Sequence, residues 1–240
     1  MRLIARLDIK NESVIKGIQL EGLRKVGDPN SLAREYYAQG IDEIVLMDAV
    51  ASLYDRNNVF HIVEDVCRDI FVPIAIGGGI RSVSDVSRAL DSGADKVVVN
   101  TAAVRNISLI EEVAVKFGSQ SLVGSIEAKK STHGWKAYID NGREPTEKNV
   151  TEWAKVLQDA GCGEILLTSV DMEGSLKGFD IELVEAVNSI VKCPVIVSGG
   201  CGKPDDVARL VERTQPSAVA LAGVLHYKKY AVSDFRSLAS

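Results

Sequence analysis

Short runs of β-branched and aliphatic residues alternate along this chain with longer stretches in which apolar side chains recur every three to four positions. The first kind reads as strands buried on both faces, the second as amphipathic helices. Strands are expected at 3–7, 43–47, 74–76, 96–99, 122–126, 164–168, 195–197 and 218–221. Helices are expected at 31–39, 59–70, 83–92, 107–117, 150–160, 181–191 and 204–213. Ser82, Asn106 and Asp180 stand where N-caps belong, before Val83, Ile107 and Ile181. Strict strand–helix alternation implies parallel strands joined by right-handed crossovers. Eight such units in 240 residues predict an α/β fold of the (β/α)8, or TIM barrel, class, with a doubly wound open sheet as the alternative.

The pattern also repeats. Val72-Pro73-Ile74-Ala75-Ile76-Gly77-Gly78-Gly79 has a counterpart in Cys193-Pro194-Val195-Ile196-Val197-Ser198-Gly199-Gly200, 121 positions on. The same offset pairs Glu43-Ile44 with Glu164-Ile165, Asp85-Val86 with Asp206-Val207, and Arg88 with Arg209. Near the N-terminus the offset becomes 119, and Asp8-Ile9-Lys10 meets Glu127-Ala128-Lys129. A repeat of half the chain favours a closed barrel, one domain over 1–240 built from two (β/α)4 halves, about 1–120 and 121–240. Two connections are longer than packing requires, 10–28 with Gly17, Gly22 and Gly27, and 129–148 with Trp135, Tyr138 and Asn141-Gly142. Both leave C-terminal ends of strands, where barrel sites are built. The Asn-Gly pair predicts a hairpin turn in the second.

Composition narrows the class. With 46% hydrophobic and 25% charged residues the chain can bury a sizeable core. No apolar run is long enough to span a bilayer, and no signal peptide is expected. A net charge of −5 argues against a nucleic-acid surface. Cys67, Cys162, Cys193 and Cys201 lack metal-type spacing and suit free thiols in a reducing cytoplasm. Nothing calls for a metal or an organic cofactor. His61, His133 and His226 have no ligand spacing and read as structural.

Candidate chemistry falls at strand ends. Gly77-Gly78-Gly79 and Ser198-Gly199-Gly200 follow the third and seventh strands; Asn100-Thr101-Ala102 and Ala222-Gly223-Val224 end the fourth and eighth. Glycine lets the backbone approach an anion, and the following helix adds N–H donors. Two such grips in register suggest a substrate phosphorylated at both ends; tight βα turns are the plainer alternative. Asp8 and Glu127 end the first and fifth strands, facing each other across the mouth. They suit general acid–base work, or else pair with Lys10 and Lys129. Lys16 either closes over a phosphate or is an ordinary exposed lysine. At the other end Arg2, Glu43, Lys96 and Glu164 begin strands one, two, four and six. They form either a charged ring closing the barrel bottom or a solvated rim.

These residues together resemble the cyclase subunit of imidazole glycerol phosphate synthase. The resemblance runs through Leu7-Asp8-Ile9-Lys10, Val14-Ile15-Lys16-Gly17, Leu23-Arg24, Gly27-Asp28-Pro29, Asp42-Glu43 and Gly77-Gly78-Gly79-Ile80. It continues through Gly93-Ala94-Asp95-Lys96-Val97, Asn100-Thr101-Ala102-Ala103, Phe117-Gly118-Ser119-Gln120, the stretch from Gly163 to Ser169, and Ser198-Gly199-Gly200. It implies a partner glutaminase docked on the N-terminal barrel face, and ammonia passing up the interior through the gate of Arg2, Glu43, Lys96 and Glu164. It implies cleavage of a bis-phosphorylated ribulosyl aminoimidazole carboxamide nucleotide into imidazole glycerol phosphate and aminoimidazole carboxamide ribonucleotide. Asp8 and Glu127 would then be catalytic. Lys16, Gly79, Asn100, Thr101, Thr168, Glu173, Gly174, Ser198, Gly200 and Gly223 would bind substrate and its phosphates. The chain departs from the family at the mouth. Glu127 and Glu173 stand where Asp is usual, Arg6 where a small residue, usually Cys, is found, Asn11 for Asp, and Gly223 for Ser. A related ammonia-using subunit for sugar amidination in surface polysaccharides is therefore the alternative, with Arg6 recognising an added anionic group. A third reading is a phosphate-binding or glutaminase-activating barrel without catalysis.

Overall fold

Eight parallel strands close into a barrel. A computed structural model describes residues 1–51 and 60–239. The barrel strands are β1 (Arg2–Lys10), β4 (Glu43–Asp48), β5 (Ile74–Gly77), β6 (Lys96–Val99), β7 (Leu122–Ser131), β10 (Glu164–Ser169), β11 (Val195–Ser198) and β12 (Ala218–Leu221). Each pairs in parallel with the next, and β12 pairs back to β1 through Leu3↔Val219 and its neighbours, so no edge is left open. Every expected barrel strand forms, and the open-sheet alternative falls.

Helices α1 (Pro29–Ala38), α2 (Phe60–Cys67), α3 (Val83–Asp91), α4 (Thr101–Arg105), α5 (Ser108–Phe117), α6 (Val150–Asp159), α7 (Ile181–Asn188), α8 (Pro204–Thr214), α9 (Gly223–His226) and α10 (Ser233–Arg236) lie between or after the strands. Ser82 caps α3 in a reciprocal box: its Oγ accepts from Asp85 N at 3.1 Å, and Asp85 Oδ2 accepts from Ser82 N at 2.9 Å. Asp180 caps α7, accepting from Leu183 N at 3.1 Å. The expected cap at Asn106 is displaced. Helix α5 starts one residue later, after Ile107, and Asn106 Oδ1 instead accepts from the Ser108 amide and hydroxyl. Val59, the expected first residue of α2, lies outside the described residues.

The two long connections are antiparallel hairpins rather than loops. β1 runs on past the barrel to pair with β2 (Ser13–Ile18), which pairs with β3 (Glu21–Gly27). β7 does the same with β8 (Gly134–Ile139), which pairs with β9 (Glu144–Asn149). The turn expected at Asn141-Gly142 joins β8 to β9, with Asp140, Asn141 and Gly142 all at positive φ. Asp8 and Glu127 therefore sit where the barrel ends and the hairpins begin, not at strand termini.

Residue parity on β1 separates two cores. Leu3, Ala5 and Leu7 pack outward against the helices. Ile4 points inward to a layer with Val45, Ala75, Val98, Val123, Leu166, Ile196, Ala218 and Ala220. Burying each larger member contributes about 1.5–3 kcal/mol. Because side chains alternate, Arg2, Arg6 and Asp8 share Ile4's inward face. Arg2 lies below the apolar layer; Arg6 and Asp8 lie above it.

Candidate active site

The bottom of the barrel is closed by four charges in alternating sign. Arg2 Nη1 reaches Glu43 at 2.5 Å and its Nη2 reaches Glu164 at 2.5 Å. Lys96 Nζ reaches Glu43 at 3.0 Å and Glu164 at 2.9 Å. Each cation therefore touches both anions, and the four side chains make a continuous ring. Glu43 is 1% exposed, Lys96 and Glu164 are mostly covered and Arg2 is the partly exposed member, so the ring is more than a solvated rim.

At the mouth the two catalytic candidates have opposite environments. Burial alone would raise the Asp8 carboxyl, but Arg6 and Lys16 outweigh it and hold Asp8 at about 2. Arg6 Nε donates to Oδ1 at 2.9 Å and Lys16 Nζ to Oδ2 at 3.3 Å. Burial pushes Glu127 up to about 7, offset only in part by the Gly142 amide, which donates to Oε2 at 2.7 Å, and by the charge of Arg6. Neither carboxylate pairs with Lys10 or Lys129; Lys129 Nζ lies 4.6 Å over the Tyr138 ring.

Lys16 is neither exposed nor free to close over a phosphate. It lies in β2 at 3% exposure and bridges Asp8 to Glu173, which is also buried. Burial works against the lysine's charge, but Glu173 and Asp8 raise its pKa overall. The loop carrying Glu173 docks on the β2–β3 hairpin: Gln19 N donates to Glu173 O at 2.7 Å. Gly174, at φ +70°, leaves no room for a Cβ against the Gly17 carbonyl.

A cavity of about 220 Å³ opens between β4, β5, β6 and β7. Its walls include Glu127, Arg6, Gly78, Gly79, Asn100, Thr101 and Asn141. Gly78 and Gly79 have φ of +91° and +73°, and a Cβ on Gly78 would overlap the Asp48 carbonyl. Here the glycines are required by the turn and also bare the backbone to the cavity. Asn100 Nδ2 donates to Tyr138 O at 3.2 Å, and Thr101 Oγ1 accepts from Asp140 N at 3.2 Å, which ties this wall to the second hairpin. Arg81 and Arg105, neither of them among the residues expected at the site, also line the cavity. Arg105 follows Thr101 by four positions, one helical turn, a spacing that marks it as a neighbour of the grip.

The matching grip of the second half is arranged differently. Ser198, Gly200 and Gly223 do not line this cavity. Thr168 Oγ1 and Ser198 Oγ both accept from Arg6 Nη1, at 2.8 and 3.2 Å. Gly200 O accepts from Gly178 N at 2.8 Å, so the loop after β10 covers it. Gly223 begins α9, and a Cβ there would make only ordinary contact, 3.8 Å from Lys16 Cε. The position thus accommodates the Ser that the family resemblance leads one to expect. His226 is structural as expected, its Nδ1 2.7 Å from Tyr36 Oη and its Nε2 3.0 Å from Arg6 O. All four cysteines are free. No described helix is long and apolar enough to cross a membrane.

Comparison with known proteins identifies the family. A family model described as histidine biosynthesis protein matches residues 2–231. The imidazole glycerol phosphate synthase subunit HisF of Legionella pneumophila is 56% identical over 207 residues, 86% of this chain and 98% of that protein. Those of Pyrococcus furiosus and Myxococcus xanthus are 45% and 44% identical, over 98% and 94% of this chain and 93% and 89% of theirs. None of these names favours the sugar-amidination alternative or a non-catalytic barrel. The chain belongs to the histidine biosynthesis protein family, alongside the HisF cyclase subunits of imidazole glycerol phosphate synthase.

Proposed function

We propose that this barrel uses ammonia, delivered by a glutaminase docked over the Arg2–Glu43–Lys96–Glu164 ring, to convert a bis-phosphorylated ribulosyl aminoimidazole carboxamide nucleotide into imidazole glycerol phosphate and aminoimidazole carboxamide ribonucleotide. The whole of 1–240 acts as one domain in the cytoplasm, its halves meeting near residue 120. Neutral ammonia crosses the apolar layer around Ile4, Val98 and Leu166. One phosphate rests on the Gly78-Gly79 backbone, near Asn100, Thr101 and the cation of Arg105. The other lies against the backbone at Gly200 and Gly223; Lys16, Thr168, Glu173, Gly174 and Ser198 shape the adjoining wall, where Lys16 is paired with Glu173 and Thr168 and Ser198 hold Arg6.

The observation that carries this reading is the asymmetry of the two carboxyls. Glu127, poised at about 7 and lining the cavity, transfers protons; Asp8, held at about 2, remains an anion. Two carboxyls with separated ionisation supply both an acid and a fixed negative charge at neutral pH. The test is complementation of a histidine auxotroph lacking its cyclase. The chain is expected to restore growth and Asp8→Asn to abolish it. A folded, expressed wild-type chain that leaves the auxotroph dependent on histidine would overturn the assignment.

A further inference from the structure

Arg6 is the residue that the family resemblance does not explain, and its surroundings define a task for it. Its side chain is fixed on three sides. Nε donates to Asp8 on its own strand, while Nη1 donates to Thr168 on β10 and Ser198 on β11. Its backbone carbonyl is held by His226. The residue is 2% exposed, so the guanidinium is clamped, with little rotamer freedom left to lose. Its second terminal nitrogen, Nη2, makes no hydrogen bond to any described residue, and Arg6 is part of the cavity wall together with Glu127. A clamped cation in the cavity wall therefore keeps one N–H-bearing nitrogen without a partner among the described residues. It stands directly above the apolar interior, where ammonia would emerge.

The charges nearby decide what that donor recognises. Arg6 and Lys16 are matched by Asp8 and Glu173, two cations against two anions in mutual contact. A phosphate dianion would gain little net attraction there and would face two carboxylates at close range. A carbonyl oxygen needs only a directed donor, and it gains most when it becomes an alkoxide. Resting on the function proposed above, we infer that Arg6 is a catalytic residue whose Nη2 binds the ketone oxygen of the ribulosyl group as ammonia attacks it. The ammonia lone pair forms the C–N bond and the carbonyl π pair moves to oxygen. Arg6 stabilises that oxygen. Glu127 gives it a proton and recovers one from the new ammonium nitrogen, leaving a neutral carbinolamine and an unchanged carboxyl. Loss of water then gives the imine.

The test compares Arg6→Gln and Arg6→Lys in ammonium-dependent turnover, with thermal melting to confirm folding. Lysine keeps a cation for Asp8 but loses the fork. Both variants are expected to lose about 10²–10³-fold in kcat with little change in KM for the nucleotide, as removal of one oxyanion donor does. Folded variants with wild-type kcat, or with a raised KM and unchanged kcat, would overturn the inference. Infrared difference spectra of wild-type protein with nucleotide and no ammonium need no variant to fold. The ketone stretch is expected to move to lower frequency on binding, and an unshifted stretch would overturn the role of Arg6. A shifted stretch without products on adding ammonium would sink the cyclase reading and leave the Arg6 contact standing. Absence of nucleotide binding would overturn both.

Discussion

Replacing Glu127 by Gln keeps an acceptor for the Gly142 amide and removes the cavity-wall carboxyl that burial pushes up to about 7. Between its ordinary value of 4.5 and about 7, the folded protein retains a proton that the unfolded chain has released. Stability due to this group is therefore complete below 4.5 and is lost as pH rises to about 7. At roughly 1.4 kcal/mol per unit of pKa, ionised Glu127 costs about 3 kcal/mol at pH 8 and under about 1 kcal/mol at pH 5. Glu127→Gln should recover that difference, some 2 kcal/mol more stabilisation at pH 8 than at pH 5. For a chain of this size that corresponds to a melting-temperature gain about 4–8 °C larger at the higher pH. Thermal unfolding of both proteins at pH 5 and pH 8 provides the assay, and other groups cancel in the comparison. An equal change at both pH values would refute a Glu127 that titrates near neutrality.

Other consequences follow from the same contacts. Lys96→Ala leaves Glu43 with Arg2 as its cation; it should impair glutamine-dependent turnover more than turnover on added ammonium, and equal losses would count against a gate. Asp8→Asn deprives Arg6 and Lys16 of a shared anion. It should lower ammonium-dependent kcat by at least about 10²-fold and abolish the acid-side loss of stability that Asp8 contributes as pH falls from 3.8 toward 2, both measurable on purified protein. Gly78→Ala forces a Cβ against the Asp48 carbonyl at positive φ and should cost about 1–3 kcal/mol in urea unfolding, with weaker nucleotide binding.

The barrel was legible because each of its strands is a short apolar run, while the helices carry a different period. Apart from the turn at Asn141-Gly142, the strands of the hairpins were not, for a physical reason. Of the six residues of β9, Glu144–Asn149, none is a large apolar side chain, and β3 is mostly exposed. Their pairing rests on backbone hydrogen bonds that side-chain patterning does not report. The site was half legible. The repeat placed Asp8 opposite Glu127 and Gly79 opposite Gly200; the ring was offered by the charges that begin the strands and marked as a gate by the family resemblance. The repeat also implied a symmetry that tertiary contacts break. Of the two carboxyls, Arg6 and Lys16 donate to Asp8 alone and the Gly142 amide to Glu127 alone, and the loop after β10 covers only the second grip. Those differences depend on which side chains meet in space, and spacing along the chain carries no signal for them.

The most direct test is turnover by the purified chain alone, with the bis-phosphorylated ribulosyl nucleotide and saturating ammonium near pH 8. The account expects imidazole glycerol phosphate and aminoimidazole carboxamide ribonucleotide to appear in equal amounts, and both to vanish in Asp8→Asn. A folded wild-type chain that binds the nucleotide but forms neither product would contradict it.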